Sequence, residues 1–247
     1  MSGHSKWAGI KHKKGALDAI KGKVFSRLSK EITICARMGG GDPEGNSSLR
    51  LAIAKAREAN MPADNIKRAI ARGTGVGGGE GIIESVIYEG YGAGGVAVLV
   101  EALTDNKKRA ASEIRHIFSR HSGNMGEAGC VSWLFAKKGV LTIDKNLISE
   151  DKLFEIALSS GAEDIKTEDD EYTITTQPSD FEGVRGAIKS QGLEIKQAEI
   201  EMLPQNYIKV GEKDARQVLK LVEMLEDNDD AQHVWSNMDI PDELLNE

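Results

Sequence analysis

Gly73–Leu103, "GTGVGGGEGIIESVIYEGYGAGGVAVLVEAL", is where the chain changes its rule of construction. Before it, apolar residues recur every three or four positions; after Gly81 they alternate. A phosphate-binding loop would need a strand ahead of the glycines and Lys-Ser/Thr behind them, followed by a helix. This run, Gly73 to Gly81, follows a helical pattern, precedes a strand pattern and lacks the lysine, so it reads as a flexible hinge. Beyond it, "IIESVIYEG" and "GVAVLVEAL" flank the turn "YGAG" and predict a β-hairpin.

On the N-terminal side, Leu17, Ile20, Val24, Leu28, Ile32 and Cys35 form one apolar stripe of a helix running from Ala16 to about Met38. At 100° per residue, Lys23, Arg27, Lys30 and Arg37 share its opposite face. "GGGDPEGN" stops this helix. Ser47 or Ser48 is placed to cap a second, ending near Asn60, and Pro62 to take the first position of a third, with Asp64 favoured in its first turn. The third helix carries Lys67, Arg68 and Arg72 and stops at Gly73. Short connections make these a three-helix bundle.

On the C-terminal side, "TDN" closes the second strand and Asp105 or Asn106 caps a helix through about His121, with Ile114, Ile117 and Phe118 inward. "CVSWLFA" reads as the next strand. "GVLTI", a helix from Ser149 to Ser160, "AEDIKT", "EYTITT", a helix from Ser179 to Ser190 and "LEIKQAEIE" spell βαββαβ, a ferredoxin-like pattern. "NYIKV", a helix from Lys213 to Glu226 and "AQHVWS" have too little core alone and join the earlier strands. The expected fold is α+β: an N-terminal three-helix bundle followed by two ferredoxin-like α+β domains, one inserted into the other. The boundaries are 1–80 for the basic arm, helices and linker, 81–136 with 203–247 for the central domain, and 137–202 for the insert.

The net charge of -7 argues against a polyanion partner until its distribution is followed. Residues 1–74 hold 15 Lys+Arg against 6 Asp+Glu, a net +9; the rest holds 17 against 33, a net -16. That asymmetry predicts a polyanion-binding head on an acidic body, although a solvated lysine-rich helical surface gives the same count. No apolar run is long enough to span a bilayer, and no apolar segment follows the N-terminal lysines, so neither anchor nor signal peptide is expected and the predicted compartment is the cytoplasm. Cys35 and Cys130 lack partner spacing and read as reduced, packed thiols.

The candidate nucleic-acid-binding residues begin in "MSGHSKWAGIKHKKGALDAIKGKVF": Lys6, Trp7, Lys11, His12, Lys13, Lys14, Lys21 and Lys23. Lysines attract phosphate, and bases stack on a flat ring for roughly 1–3 kcal/mol each. For Trp7, base stacking and a hydrophobic anchor on another domain stand as equal readings. Arg27 and Lys30 continue the surface, and Arg68 and Arg72, with Arg50 and Arg57, widen it. Phosphate contacts position a protein without specifying sequence. "TDNKKR" places Lys107, Lys108 and Arg109 at a helix N-terminus, a second anion site or simply a cap and turn. His116 and His121 are five apart on a helix, so their side chains diverge; no metal site and no cofactor are expected. The acidic runs "SEDKLFE", "EDIKTEDDE" and "EDNDDAQHVW" sit beside no nucleophile or pocket pattern and read as solvated surface or contacts for a basic partner. With no nucleophile elbow, P-loop or metal pattern, a non-enzymatic protein without a small-molecule substrate is expected.

Six motifs in series carry a family resemblance: "GHSKWAGIKHKK" (Gly3–Lys14), "KGKVFSRLSKEI" (Lys21–Ile32), "NMPADNIKRAI" (Asn60–Ile70), "YEGYGAGGVAV" (Tyr88–Val98), "TDNKKR" (Thr104–Arg109) and "SGNMGEAGCVSWLF" (Ser122–Phe135). Together they span the chain in order, and it resembles the YebC/PmpR family, which includes a mitochondrial translational activator. Departures are Ser122-Gly123 followed by Met125, where the family often has Gly-Gly before Asn-Leu-Gly, and Cys130 in place of a frequent Ser. The resemblance implies a three-part architecture and non-enzymatic work: DNA-binding transcriptional regulation, or RNA-binding, ribosome-associated translational activation. The implied partners are duplex DNA and/or ribosomal RNA, with the ribosome itself possible in the second case, and no membrane.

Overall fold

The computed structural model describes residues 17–76, 83–168 and 170–240. The chain forms two compact bodies. Among the described residues, one is Trp133–Asn206 and the other is made from the chain on either side of it, residues 17–132 and 207–240.

The two-part body begins with three helices: α1 (Leu17–Gly39), α2 (Ser47–Glu58) and α3 (Ala63–Gly73). Ile32, Ala36, Leu49, Ala52, Ile53, Ala56, Met61, Ile66 and Ala69 make their shared core, with Phe25, Leu28 and Cys35 packed at its margin. The cap of α2 is Asn46 rather than either serine. Its Oδ1 accepts from the Leu49 N–H, and its Nδ2 donates to the Cys35 and Gly40 carbonyls, so one side chain caps one helix and ties down the end of another. Pro62 is likewise the residue before the helix rather than its first position. α1 and α3 approach closely at Gly73, where a Cβ would lie 2.3 Å from the Thr33 carbonyl oxygen. Glycine is required there by proximity. Of the expected hinge, Gly73 to Gly81, the structure describes the first four residues, where Gly73 ends α3 and Thr74–Val76 form a turn; residues 77–82 lie outside the described residues.

The same body continues as a four-stranded sheet from β1 (Glu84–Tyr91), β2 (Ala97–Thr104), β3 (Asn124–Met125) and β9 (Ala231–Ser236), in the order β3-β1-β2-β9. The hairpin pairs Glu84 with Thr104 through Tyr91 with Ala97, and β9 pairs antiparallel with β2. Two helices, α4 (Lys107–Arg120) and α7 (Glu212–Glu226), cover one face. Val98, Val100, Ala110, Ile114, Phe118, Val218, Leu221, Leu225 and Val234 fill the layer between. A short parallel pair, β8 (Ile208–Lys209) with β10 (Met238–Asp239), closes this part.

The other body is β4 (Phe135–Asp144), α5 (Glu150–Ser159), β5 (Ala162–Thr167), β6 (Glu171–Thr176), α6 (Phe181–Ser190) and β7 (Gln197–Pro204). The order β5-β6-β4-β7, wholly antiparallel, is that of a ferredoxin-like sheet. Leu141, Ile143, Leu153, Ile174, Phe181 and Ile188 are fully buried in it. The fold is thus the expected α+β arrangement, a helical head and two sheet bodies with one inserted in the other.

One expected element is absent. "CVSWLFA" is not a separate strand: Ser132–Leu134 is a turn of 3-10 helix, and Phe135 opens the ten-residue β4. The reason is a carboxylate. Glu89 on β1 is buried, and its Oε1 accepts from the Gly129 N–H at 2.7 Å while Oε2 accepts from Val131 and Ser132 at 2.8 and 2.7 Å. Donors that a neighbouring strand would have used are consumed by one side chain.

Candidate nucleic-acid interface

Basic residues of α1 at positions 23, 27 and 30 recur at spacings of four and three, which puts them on one helical face. That face lies against the C-terminal end of α7 and the turn after it. Lys23 Nζ donates to the Asp227 carbonyl at 2.9 Å and to its carboxylate at 3.2 Å. Arg27 donates to the Glu226 carbonyl, and Lys30 to the Asp229 carbonyl at 2.9 Å and the Asp230 carboxylate at 2.8 Å. The last turn of a helix offers unpaired carbonyls and the negative end of its dipole, so cations gather there. Burial pulls the Arg27 guanidinium below its ordinary value, opposed by Glu226, Asp227 and Asp229. Of the acidic runs, "EDNDD" therefore has an internal role: it is the counter-charge of α1.

Asp230 is the centre of this contact. Its side chain is 6% exposed and is held by Lys30 on one oxygen and by Arg109 and the Thr104 hydroxyl, each at 3.0 Å, on the other. Burial alone would raise its carboxyl; bonds from Lys30, Arg109 and Thr104 outweigh burial and hold it below the ordinary aspartate value. Arg109 also pairs with Asp105 at 3.0 Å. Asn106 caps α4, its Oδ1 accepting from the Arg109 N–H at 3.1 Å, so "TDNKKR" is a cap and turn that also delivers a guanidinium to Asp230. Lys107 pairs with Glu84 at 3.0 Å, and Lys108 is exposed.

Above Asp230 lies a cleft of about 510 Å³. Phe25, Ser26, Ser29 and Lys30 of α1 line one wall; Met61, Asn65, Arg68 and Arg72 line the second; Ile83, Asp105, Arg109 and Asp230 line the third. Asn65, Arg68 and Arg72 follow one another at i, i+3 and i+7, one face of α3. Arg68 donates to the Asn65 side chain, and neither Arg68 nor Arg72 has a carboxylate within salt-bridge distance among the described residues. Four of the sequence-predicted residues, Lys30, Arg68, Arg72 and Arg109, thus meet at one place, although they come from two separate candidate sites. Lys23 and Arg27 point to the acidic turn instead.

Arg37 donates to the Ile83 carbonyl at 2.7 Å and Arg50 to the Pro43 carbonyl at 3.2 Å. Lys6, Trp7, Lys11, His12, Lys13 and Lys14 lie outside the described residues, as does the side chain of Lys21. Phe25, Ser26, Ser29, Asn65 and Asp230 were missed as site residues. The i, i+3, i+7 spacing on α3 was the available signal for Asn65. Nothing local marks Asp230, whose partners are far away in sequence. Cys35 is a packed thiol pushed up to about 11, by burial and then by Glu31. Among the described residues no three His, Cys, Asp or Glu side chains could hold a metal ion, and no helix is long and apolar enough to cross a membrane.

A helical head with a cationic cleft, joined to two antiparallel sheet bodies, defines a class of modular α+β protein. Family models place this chain within that class: one described as the TACO1/YebC protein N-terminal domain matches residues 5–76, and one described as the TACO1/YebC second and third domain matches residues 83–238. The chain belongs to the TACO1/YebC family. A protein of Syntrophus aciditrophicus named "Probable transcriptional regulatory protein" is 58% identical over 246 residues, covering 99% of this chain and 98% of the relative. One of the same name from Dictyoglomus turgidum is 56% identical over 246 residues, with the same coverage. The crystal structure of Aq1575, a conserved hypothetical protein from Aquifex aeolicus, superposes with a TM-score of 0.85 at 45% identity, covering 96% of this chain and 98% of that one.

Proposed function

We propose that this protein is a non-enzymatic, cytoplasmic regulator of gene expression that binds nucleic acid through its helical head and acts as a DNA-binding transcriptional regulator. The observation that carries the reading is the cleft where Arg68 and Arg72, without carboxylate partners among the described residues, stand beside Lys30 and Arg109. Its lining carries four cations and two carboxylates, a net positive lining in a chain of net charge -7. Polyanions are drawn to such a place whatever the protein's overall charge. The relatives named as probable transcriptional regulatory proteins support the choice of transcription. The lysines of the N-terminal arm, Lys6, Lys11, Lys13, Lys14 and Lys21, would extend the contact along the phosphate backbone, with His12 and Trp7 beside them and Lys107 and Lys108 flanking the far wall.

The test is crosslinking in cells followed by sequencing of both DNA and RNA recovered with the protein. A variant carrying Lys11→Glu, Lys13→Glu and Lys14→Glu serves as background. Discrete promoter segments lost in the variant are the expected result. Enrichment of a single ribosomal RNA region would move the protein from transcription to the ribosome and to RNA binding in translation. Recovery of neither nucleic acid above background would remove the reading altogether.

A further inference from the structure

The cleft's shape and chemistry say more than its charge. A protein that reads duplex DNA with a helix must project that helix into a major groove about 12 Å wide. The basic face of α1 is turned instead onto Glu226–Asp230, and Arg68 and Arg72 of α3 stand at a concavity. Its volume, about 510 Å³, lies within the range of pockets that enclose small ligands, roughly 300–1,000 Å³. A phosphate backbone with both strands paired keeps its bases stacked inside and offers nothing to fill such a space. An unpaired nucleotide offers both parts: an anion for the guanidiniums and a flat, amphipathic base for the interior.

The walls are suited to that base. Phe25 is half-buried and lines the cleft opposite α3; Ser29 and Asn65 supply hydroxyl and amide groups of the kind that bond base edges. Cationic rims with an aromatic surface are how single strands are held, because every base presents a π-face. The carboxylates at the floor do not cancel the rim: Asp230 is committed to Lys30, Arg109 and Thr104, and Asp105 to Arg109.

We propose that this cleft binds one unpaired nucleotide of a single-stranded nucleic acid, its phosphate on Arg68 and Arg72 and its base against Phe25. The inference rests on the nucleic-acid-binding reading above and specifies which form of nucleic acid the head takes.

The test uses the full chain with three labelled probes at one salt concentration: a single-stranded RNA octamer, the DNA octamer of the same sequence, and the blunt DNA duplex. Fluorescence anisotropy is expected to show at least one single strand bound about tenfold or more tighter than the duplex, the scale of one stacked base. R68Q/R72Q is expected to lose about tenfold or more for the single strand and to flatten the salt slope by about 0.7, the value for one phosphate contact on a single strand. Both side chains are exposed, so the variant's melting temperature should match the parent's. F25L should lose several-fold in single-strand affinity with the salt slope unchanged. A preference of RNA over DNA or the reverse identifies the source of the strand. Equal affinity for duplex and single strand, or full single-strand affinity in R68Q/R72Q, would overturn the cleft while leaving nucleic-acid binding intact. Failure of the parent to bind all three probes would instead defeat the broader reading.

Discussion

Glu89 shows how much one side chain decides. It sits on β1 with its carboxylate buried, and the loop before β4 folds around it because Gly129, Val131 and Ser132 all donate to the two oxygens. Burial alone would raise its carboxyl; the backbone donors and the Ser132 hydroxyl outweigh burial and hold it below the ordinary glutamate value. A depressed value means that its stabilisation is complete above the unfolded-state value, about 4.3, and is lost as pH falls through the folded one. Glu89→Gln keeps the shape but replaces one acceptor oxygen with a donor, so at least one loop N–H loses its partner. A loss of about 1–3 kcal/mol is expected, the cost of an unsatisfied buried group. Thermal unfolding at pH 7 measures it, and hydrogen exchange should quicken at residues 129–132; an unchanged melt and exchange pattern would show that the loop holds itself. The sequence displayed Glu89 inside "YEGY" but gave no sign of its depth, because alternation along a strand says which face a residue takes and not what covers that face.

At the scale of elements, the contact of α1 with the end of α7 is the part that local sequence could not supply. Periodicity placed Lys23, Arg27 and Lys30 on one face, and composition flagged "EDNDD" as acidic. That these belong together is a matter of topology: Lys23 and Asp227 are 204 residues apart. Helices, hairpin and βαββαβ order were legible because each is written in spacings of two, three or four. The cleft was legible only in pieces, since Arg68 and Arg109 lie on elements that meet only through the tertiary fold. The contact is also pH-sensitive with a definite sign. Asp230 is depressed, so its ion pairs are fully formed above about pH 4, the unfolded aspartate value, and weaken as pH falls below it. Protection of the α1 amides against exchange, taken relative to the intrinsic rate at each pH, should therefore fall in the parent protein as pH drops below about 4. Asp230→Asn should already show the faster exchange at pH 7. If α1 exchanged equally in parent and variant, the ion pairs would be incidental to its docking.

Over the whole molecule, the inserted body enters and leaves through neighbouring strands. Phe135, the first residue of β4, pairs with Pro204, the last of β7, so the two ends lie side by side. An insertion whose ends meet costs its host little more than a short loop would. Residues 133–206 also have their own buried core of Leu141, Ile143, Leu153, Ile174, Phe181 and Ile188. Expressed alone, this segment is expected to unfold cooperatively on heating with a native near-ultraviolet circular dichroism signal. A gradual melt without that signal would mean that the segment depends on the rest of the chain.

The long separation between α1 and its acidic partner also sets a schedule. The head, with a net charge of +9 over residues 1–74, is synthesised before its acidic partner, and Asp227–Asp230 follow some 200 residues later. At about 5–20 residues per second, translation takes roughly 10–40 s to cover that distance. During that interval Lys23, Arg27 and Lys30 are without the acidic turn that holds them in the folded protein. Until Asp230 is made, those three cations stand open to any other polyanion.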